Sequence, residues 1–310
     1  MDLHQIQYIL TIAEKQSISK AAESLFITQS ALNQQLLKLE HELGVPLFER
    51  RNRIMIPTAA GEVYLDAARQ MVDLKRKTYK IIQDIADEKS GKIRLAYTPE
   101  TGARMFSAVY PMFLKMYPDI SFQIYEARCK EIKKLLLNKT VDLAHISYFD
   151  FSRSPELEYL DIDSEYVVLG LPASHPLACL AGKNSHQHLP LIDLSLLKDD
   201  AFVLADKSTL MRDALDFTFS KAGFTPKILF ESASSQTLIS MVRAQIAPAF
   251  FPQSYVRPDP SIVYFTAAPR FTWTRGIAFR KGTYLSKPEK HFIALSTDYM
   301  RGMIQKGKLE

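Results

Sequence analysis

The feature that most constrains this chain is a leucine run near its start. Leu32, Leu36, Leu39 and Leu43 recur at steps of four, three and four, Gly44 follows, and Pro46 lies just beyond. That period, closed by glycine and proline, predicts an amphipathic helix whose first turn Thr28 can cap. Such a helix must lay its leucines on other elements, and the preceding residues offer them. Leu3, Ile6, Leu10 and Ala13 form one helical stripe. A short helix, with Ser19 as its expected cap, turns Ala21, Ala22 and Leu25 inward before a tight break at Phe26-Ile27-Thr28. Short helix, tight turn and longer helix, about Ile18 to Leu37, make a helix-turn-helix.

The other face of the leucine helix is polar. Gln29 with Asn33 and Ser30 with Gln34 are pairs four residues apart, and Lys38 continues the face. Amides of this kind bond to adenine edges in a major groove, and hydroxyls reach bases or phosphates. A solvated face of an ordinary three-helix bundle would show the same residues. The next segment favours nucleic acid. Val45 to Thr58 reads as a two-stranded ribbon whose tip holds Arg50, Arg51 and Arg53, placed for phosphate or a minor groove. The overall charge of +5 adds nothing to this reading, because residues 1–58 hold six cations and six anions, and residues 59–90 also balance.

Four linked runs resemble the LysR-type transcriptional regulators: Ala21-Ala22-Glu23-Ser24-Leu25, Thr28-Gln29-Ser30-Ala31-Leu32, Leu39 through Arg50, and Thr58-Ala59-Ala60-Gly61. They match in order and spacing. The family usually carries Ser-Arg where this chain has Asn33-Gln34. The resemblance implies an α/β chain with three parts: an N-terminal winged helix-turn-helix over 1–58, a long linker and dimerisation helix over 59–90, and a C-terminal two-lobe effector domain over 91–310, similar to type 2 periplasmic binding proteins. Lobe I would comprise 91–161 and 267–310, and lobe II 162–266. It also implies a regulator that pairs through the linker and assembles as a homotetramer on double-stranded promoter DNA. Thr28, Gln29, Ser30, Asn33, Gln34, Lys38, Arg50, Arg51 and Arg53 are the candidate DNA contacts.

The linker supports pairing independently. Ala60, Tyr64, Ala67, Met71, Leu74, Thr78, Ile81 and Ile85 alternate at four and three, a heptad seam that a lone helix cannot bury. Packing within its own subunit is the alternative. Ser90-Gly91 is the expected stop.

Beyond it, strands and helices alternate as in parallel sheets: Lys92 to Tyr97, a helix from Phe106 to Leu114, Ile120 to Ile124, a helix holding Ile132, Leu135 and Leu136, and Val141 to Ile146. A second series follows with Val167 to Leu171, Ala201 to Ala205, Ile228 to Phe230 and Ala249 to Pro252, and a Pro288 to Met303 helix returns to the first. Crossing strands are expected near Asp161 and Thr266. A departure from the family pattern falls at Gln245-Ile246-Ala247-Pro248-Ala249, where Gly-x-Gly-Ile-Ala is usual.

Ligands of open α/β sheets sit beyond the carboxyl ends of strands. Four such ends lead into helix starts at Thr98/Thr101, Arg128/Cys129, Ser208/Thr209 and Ser234/Ser235, and Ser147 follows a strand. Helix starts favour anions, so a small anionic effector is expected, with Thr98, Glu100, Thr101, Arg128, Cys129, Ser147, Ser208, Thr209 and Ser234 as candidate ligand-binding residues. Each hydroxyl could equally be a plain cap. Glu100 argues for an amino group instead. Arg104, Arg212 and Arg243 are candidate countercharges, Cys129 a candidate redox thiol, His145 a core or pocket-edge residue, and Trp273 a packing residue.

His186 and His188 lack partners at metal-ligand spacing, so no metal and no cofactor is expected. No phosphate loop or nucleophile–base set points to an enzyme, and no catalytic residue is assigned. An enzyme or a solute-binding protein on the same two-lobe fold remains the rival class. Two cysteines, no bilayer-length apolar run and no basic-then-apolar leader at Met1-Asp2-Leu3-His4 lead to the expectation of a cytoplasmic protein with no membrane partner.

Overall fold

The computed structural model describes residues 2–51, 54–86, 90–181, 186–268, 270 and 272–306. The chain divides into two compact units, Met1–Glu88 and Lys89–Glu310.

In the first unit α1 (Leu3–Lys15), α2 (Ile18–Ser24) and α3 (Gln29–Leu43) enclose a core of Ile6, Ile9, Ile12, Ala21, Ala22, Leu32, Leu36 and Leu39. The inward face of α1 is therefore Ile6, Ile9 and Ile12; Leu10 and Ala13 are only half-buried at its edge. Ser17, not Ser19, caps α2, its side chain accepting from the Lys20 N–H. Thr28 caps α3 by accepting from the Ala31 N–H, and Gly44 closes it at φ 72°. Leu43 was expected inside but is 44% exposed, because it falls in the last turn, past the end of the core.

A ribbon of β1 (Phe48–Arg51) and β2 (Ile54–Pro57) pairs Phe48 with Pro57 and Arg51 with Ile54. Its start is pinned by Glu40, whose Oε1 accepts from the Leu47 and Phe48 N–H groups at 2.7 and 3.1 Å. Thr58 then caps α4 (Ala59–Ile85), a helix about 40 Å long at 1.5 Å per residue. Only its first turns are covered: Tyr64, Leu65 and Ala68 are buried, whereas Met71, Leu74, Ile82 and Ile85 are exposed. Of the seam, Tyr64 is buried in its own unit, whereas Met71, Leu74, Thr78 and Ile85 are left exposed. The helix stops at Ile85, and Ser90-Gly91 belongs to the following strand rather than ending it.

The second unit runs β3 (Ser90–Tyr97), α5 (Thr101–Met116), β4 (Asp119–Glu126), α6 (Cys129–Leu137), β5 (Leu143–Tyr148), β6 (Leu157–Pro172), β7 (Leu191–Ile192), β8 (Ala201–Ala205), α7 (Leu210–Ala222), β9 (Lys227–Ser232), α8 (Ser235–Arg243), β10 (Ala249–Pro252), β11 (Ile262–Ala267), β12 (Thr272–Arg280) and α9 (Lys287–Lys306). The strands order as β4-β3-β5-β12-β6-β10-β8-β9, with β11 also on β6. Parallel β3, β4 and β5 with β12 form the first lobe; parallel β8, β9 and β10 form the second. The long strand β6 serves both: it pairs β12 antiparallel from Leu157 to Tyr166, then β10 from Val167 to Gly170. The second lobe packs on Phe202, Phe250, Phe251 and Leu238, the first on Phe113, Phe292, Ile93 and Leu143.

Gln245, which stands in a glycine position of the family pattern, adopts φ 61°. Its amide offsets that conformation by tying two other segments: Nε2 donates to the Ser261 carbonyl at 2.7 Å and Oε1 accepts from the Ser174 N–H at 2.9 Å.

Candidate functional site

The outer face of α3 is open. Gln29, Ser30, Gln34 and Lys38 are exposed and Asn33 is half-buried. Thr28 is spent partly on the cap and lies 3.2 Å from the Ser30 hydroxyl. Gln29 is not free to rotate at will: its Oε1 accepts from the Ser19 hydroxyl at 2.9 Å, leaving the Nε2 hydrogens uncommitted. Ser19, assigned to a cap from the sequence, instead holds the first amide of the neighbouring helix. Arg50 and Arg51 are exposed on the ribbon, Arg51 paired with Glu49 at 2.7 Å, a surface contact worth little on its own. Arg53 lies outside the described residues. Sequence reasoning passed over Phe26, which is 96% exposed and sits at φ 55° in the turn before α3. An aromatic residue pays twice there, in strain and in exposed apolar surface, with no packing in return.

In the second unit one cavity of about 110 Å³ gathers Thr98, Glu100, Thr101, Arg128, Cys129, Ser147, Ser208 and Thr209 in its wall. Ser234 does not line it; it caps α8, and its neighbour Ser235 lines the cavity instead. Several hydroxyls are already engaged. Ser208 donates to the Asp206 carboxylate, which its N–H also reaches at 2.9 Å, and these bonds hold the Asp206 carboxyl below the usual range. Thr209 donates to the Asp206 carbonyl at 2.7 Å, and Thr98 and Thr101 hydroxyls lie 3.0 Å apart. Glu100 crosses to the second lobe, accepting from the Ser235 N–H and the Tyr255 hydroxyl, both at 2.8 Å. Burial first, then the Glu100 charge, raises the Tyr255 pKa, so this hydroxyl stays a donor.

Trp273 packs in the core and also lines the cavity, as do Glu165, Met211, Leu238 and Tyr255. Tyr255 follows the carboxyl end of β10, the signal that marked the other helix starts. Glu165 lies inside β6 and carried no local signal. Two candidate countercharges are committed elsewhere: Arg212 to Glu231 and Asp216, and Arg243 to Asp259. Arg104 lies over the Tyr255 ring at 5.7 Å. Burial pushes the Cys129 thiol up, which outweighs the Ser147 N–H and the Arg128 charge and opposes a reactive thiolate. Among the described residues no His, Cys, Asp or Glu cluster could hold a metal ion.

His145 does not line the cavity. It sits on β5, 0% exposed, and neither ring nitrogen finds a hydrogen-bond partner among the described residues. Gly102 makes room above it: a Cβ there would lie 2.5 Å from Tyr97 Cβ and 3.2 Å from His145 Nδ1. Burial, with Arg275 nearby, lowers the His145 pKa from 6.5 to about 4. The unfolded chain then binds the extra proton first, so stability is full above about pH 6.5 and falls as the pH drops toward 4. His145→Leu is expected to remove a loss of about 2 kcal/mol between pH 7 and pH 5 without lowering stability at pH 7. Urea unfolding of both proteins at the two pH values measures this; equal slopes would refute it.

An open recognition helix beside a ribbon, and a two-lobe sheet with a polar cavity at its strand ends, define a ligand-responsive DNA-binding regulator. Comparison with known proteins agrees: the bacterial regulatory helix-turn-helix protein, lysR family, matches residues 3–62, and the LysR substrate binding domain matches residues 86–301. The chain belongs to the LysR family of transcriptional regulators, which are not enzymes. It is 28% identical over 295 residues, 94% of this chain and 97% of the relative, to the uncharacterized regulator YybE of Bacillus subtilis. Full-length OxyR from Pseudomonas aeruginosa shares the fold, with TM-score 0.69, 22% identity and coverage of 97% and 95%. So does CbnR in complex with its target DNA, with TM-score 0.58, 22% identity and coverage of 96% and 99%. The effector-binding domain of QuiR with shikimate resembles 68% of this chain, covering 97% of its own length, with TM-score 0.53 and 21% identity.

Proposed function

We propose that α3 enters a major groove with Gln29, Ser30, Asn33 and Gln34 toward base edges. Thr28, Lys38, Arg50, Arg51 and Arg53 then contact the sugar–phosphate backbone, and Phe26 packs against sugars or thymine methyl groups at the helix entry. The observation that carries this is the exposed amide face of α3, with Gln29 held in place by Ser19. The complex of CbnR with DNA supports the same use of the fold. The division into 1–58, 59–90 and 91–310 assigns reading, pairing and sensing to separate segments. The exposed part of the α4 seam supports pairing of two chains, and two such pairs give the homotetramer. Among the described residues no helix is long and apolar enough to cross a membrane, and a cytoplasmic regulator fits that finding.

The cavity takes a small effector bearing an anionic group, received by Arg128 and the hydroxyls of Thr98, Thr101 and Ser147. The effector-binding domain of QuiR in complex with shikimate supports a small-molecule ligand for a domain of this fold. The effector shifts the equilibrium between two arrangements of the assembly only by its differential affinity for them.

A duplex selected from random sequences by the full-length chain tests the DNA reading. Gln29→Ala is expected to lower affinity for that duplex about 10-fold, with little change on random DNA, since one base contact is worth about 1–3 kcal/mol. Arg51→Ala weakens both and lowers the salt slope by about 1. An unchanged specificity ratio in Gln29→Ala would show that the recognition face is misassigned.

A further inference from the structure

The cavity is charged in both signs, and unevenly. Glu100 and Glu165 line it against, among the described residues, one side-chain cation, Arg128. Glu100 already fills the amino end of α8, through the Ser235 N–H, so that helix start is closed to an anion from outside. Each Glu100 oxygen has one donor on it, from Ser235 and from Tyr255. A carboxylate offers about four acceptor positions, so two remain.

Glu165 is 3% exposed; its Oε1 accepts from the Ser254 N–H at 3.0 Å, and its Oε2 lies 3.5 Å from Arg275 Nη1. Arg275 directs Nε and Nη2 to Asp163. One guanidinium thus serves two buried carboxylates, and the trio keeps a net negative charge where screening by water is weak. Arg128 is the counterweight. Its Nη1 reaches the Ala233 carbonyl at 3.4 Å, and among the described residues no carboxylate forms a salt bridge with it. The paired hydroxyls of Thr98 and Thr101 hold one proton that their mutual bond does not use.

A plain carboxylate would gain Arg128 and meet two acids. A plain amine would gain the acids and leave Arg128 with only the Asp206 carboxylate in its field. We propose that the cavity binds a small bipolar molecule, an α-amino acid or close analogue. Its carboxylate is received by Arg128, Thr98 and Thr101, and its ammonium by the open acceptor positions of Glu100 in the field of Glu165. This rests on the reading of the cavity as the effector site. A volume of about 110 Å³ suits a small ligand. Met211, Leu238 and Trp273 make its surroundings apolar.

Thermal unfolding of the full-length chain tests this with three probe sets at millimolar concentration and neutral pH. These are the common small L-amino acids, the same skeletons without the amino group (such as propionate for alanine and isovalerate for valine), and the same skeletons without the carboxylate (such as ethylamine for alanine and isobutylamine for valine). The expected result is a rise of several degrees with at least one amino acid and little with its two truncated partners. Glu100→Gln is expected to weaken that amino acid about tenfold and to bring it level with its deaminated partner. A carboxylate that stabilises as well as its amino acid overturns the bipolar ligand but leaves an anion-binding effector site. An amine that does so overturns both the bipolar ligand and the anion site. Silence from all three sets, in protein that still binds its selected duplex, overturns the bipolar ligand together with the effector reading of this cavity.

Discussion

Arg275→Met is expected to destabilise the unit of residues 90–306 by about 3–5 kcal/mol, because it strands two buried acids. The Arg275, Asp163 and Glu165 side chains are 7%, 5% and 4% exposed. Burying three charges costs more than their attraction returns unless the geometry is good, and here it is good on one side only. Arg275 holds Asp163 in a two-pronged contact, with Nε to Oδ1 at 2.8 Å, but stands 3.5 Å from Glu165. Removing the cation leaves both carboxylates without it on adjacent inward positions of β6. The triple variant Arg275→Met, Asp163→Asn, Glu165→Gln is expected to recover most of the loss, since each remaining group is then neutral. Urea unfolding of the three proteins measures both effects. A loss below about 1 kcal/mol in the single variant would mean that water reaches the trio.

Gly61→Ala is expected to abolish DNA binding by unfolding the unit of residues 2–86. A Cβ at Gly61 would stand 2.0 Å from the Leu47 carbonyl oxygen and 3.3 Å from Pro57 Cβ. The oxygen cannot retreat cheaply, because it accepts the Thr58 N–H at 2.9 Å, and Thr58 in turn bonds the Pro46 carbonyl at 2.7 Å and caps α4 through the Gly61 N–H at 3.0 Å. Helix, cap and ribbon meet at this one position without a side chain. Overpacking a core costs about 1–3 kcal/mol, and a clash with backbone lies at or above the top of that range. Affinity for the selected duplex should fall about 100-fold or more, while the melting of the second unit is unchanged. Normal binding by Gly61→Ala would show that the ribbon shifts to absorb the methyl group.

What the sequence disclosed was local. Thr28, Thr209 and Ser234 cap helices, and Gly44 closes one, because each needs only neighbours three or four residues away. The polar face of α3 was readable for the same reason. Where two answers were locally equal, the local signal failed. Ser17 and Ser19 are both good caps by sequence; Ser17 takes the cap, and the Ser19 hydroxyl goes instead to Gln29, ten residues on. The charge of the cavity was hidden further away. Glu100 meets Tyr255 across 155 positions, and Arg275 meets Asp163 across 112, so no window of sequence contains either pair. That is why the helix starts pointed to an anion, Glu100 was the one local sign of an amino group, and the second acid of the wall, Glu165, went unseen.

The strand shared by the two lobes sets a limit on how this sensor could be reshuffled. Residues 157–166 of β6 complete one hydrogen-bonded ladder and 167–172 complete others. A genetic crossover between relatives placed inside that strand would splice a foreign edge onto both lobes at once. The lobes are therefore not exchangeable cassettes, and new ligand preferences in such a chain have to arise by substitution around the cavity rather than by import of a ready-made half.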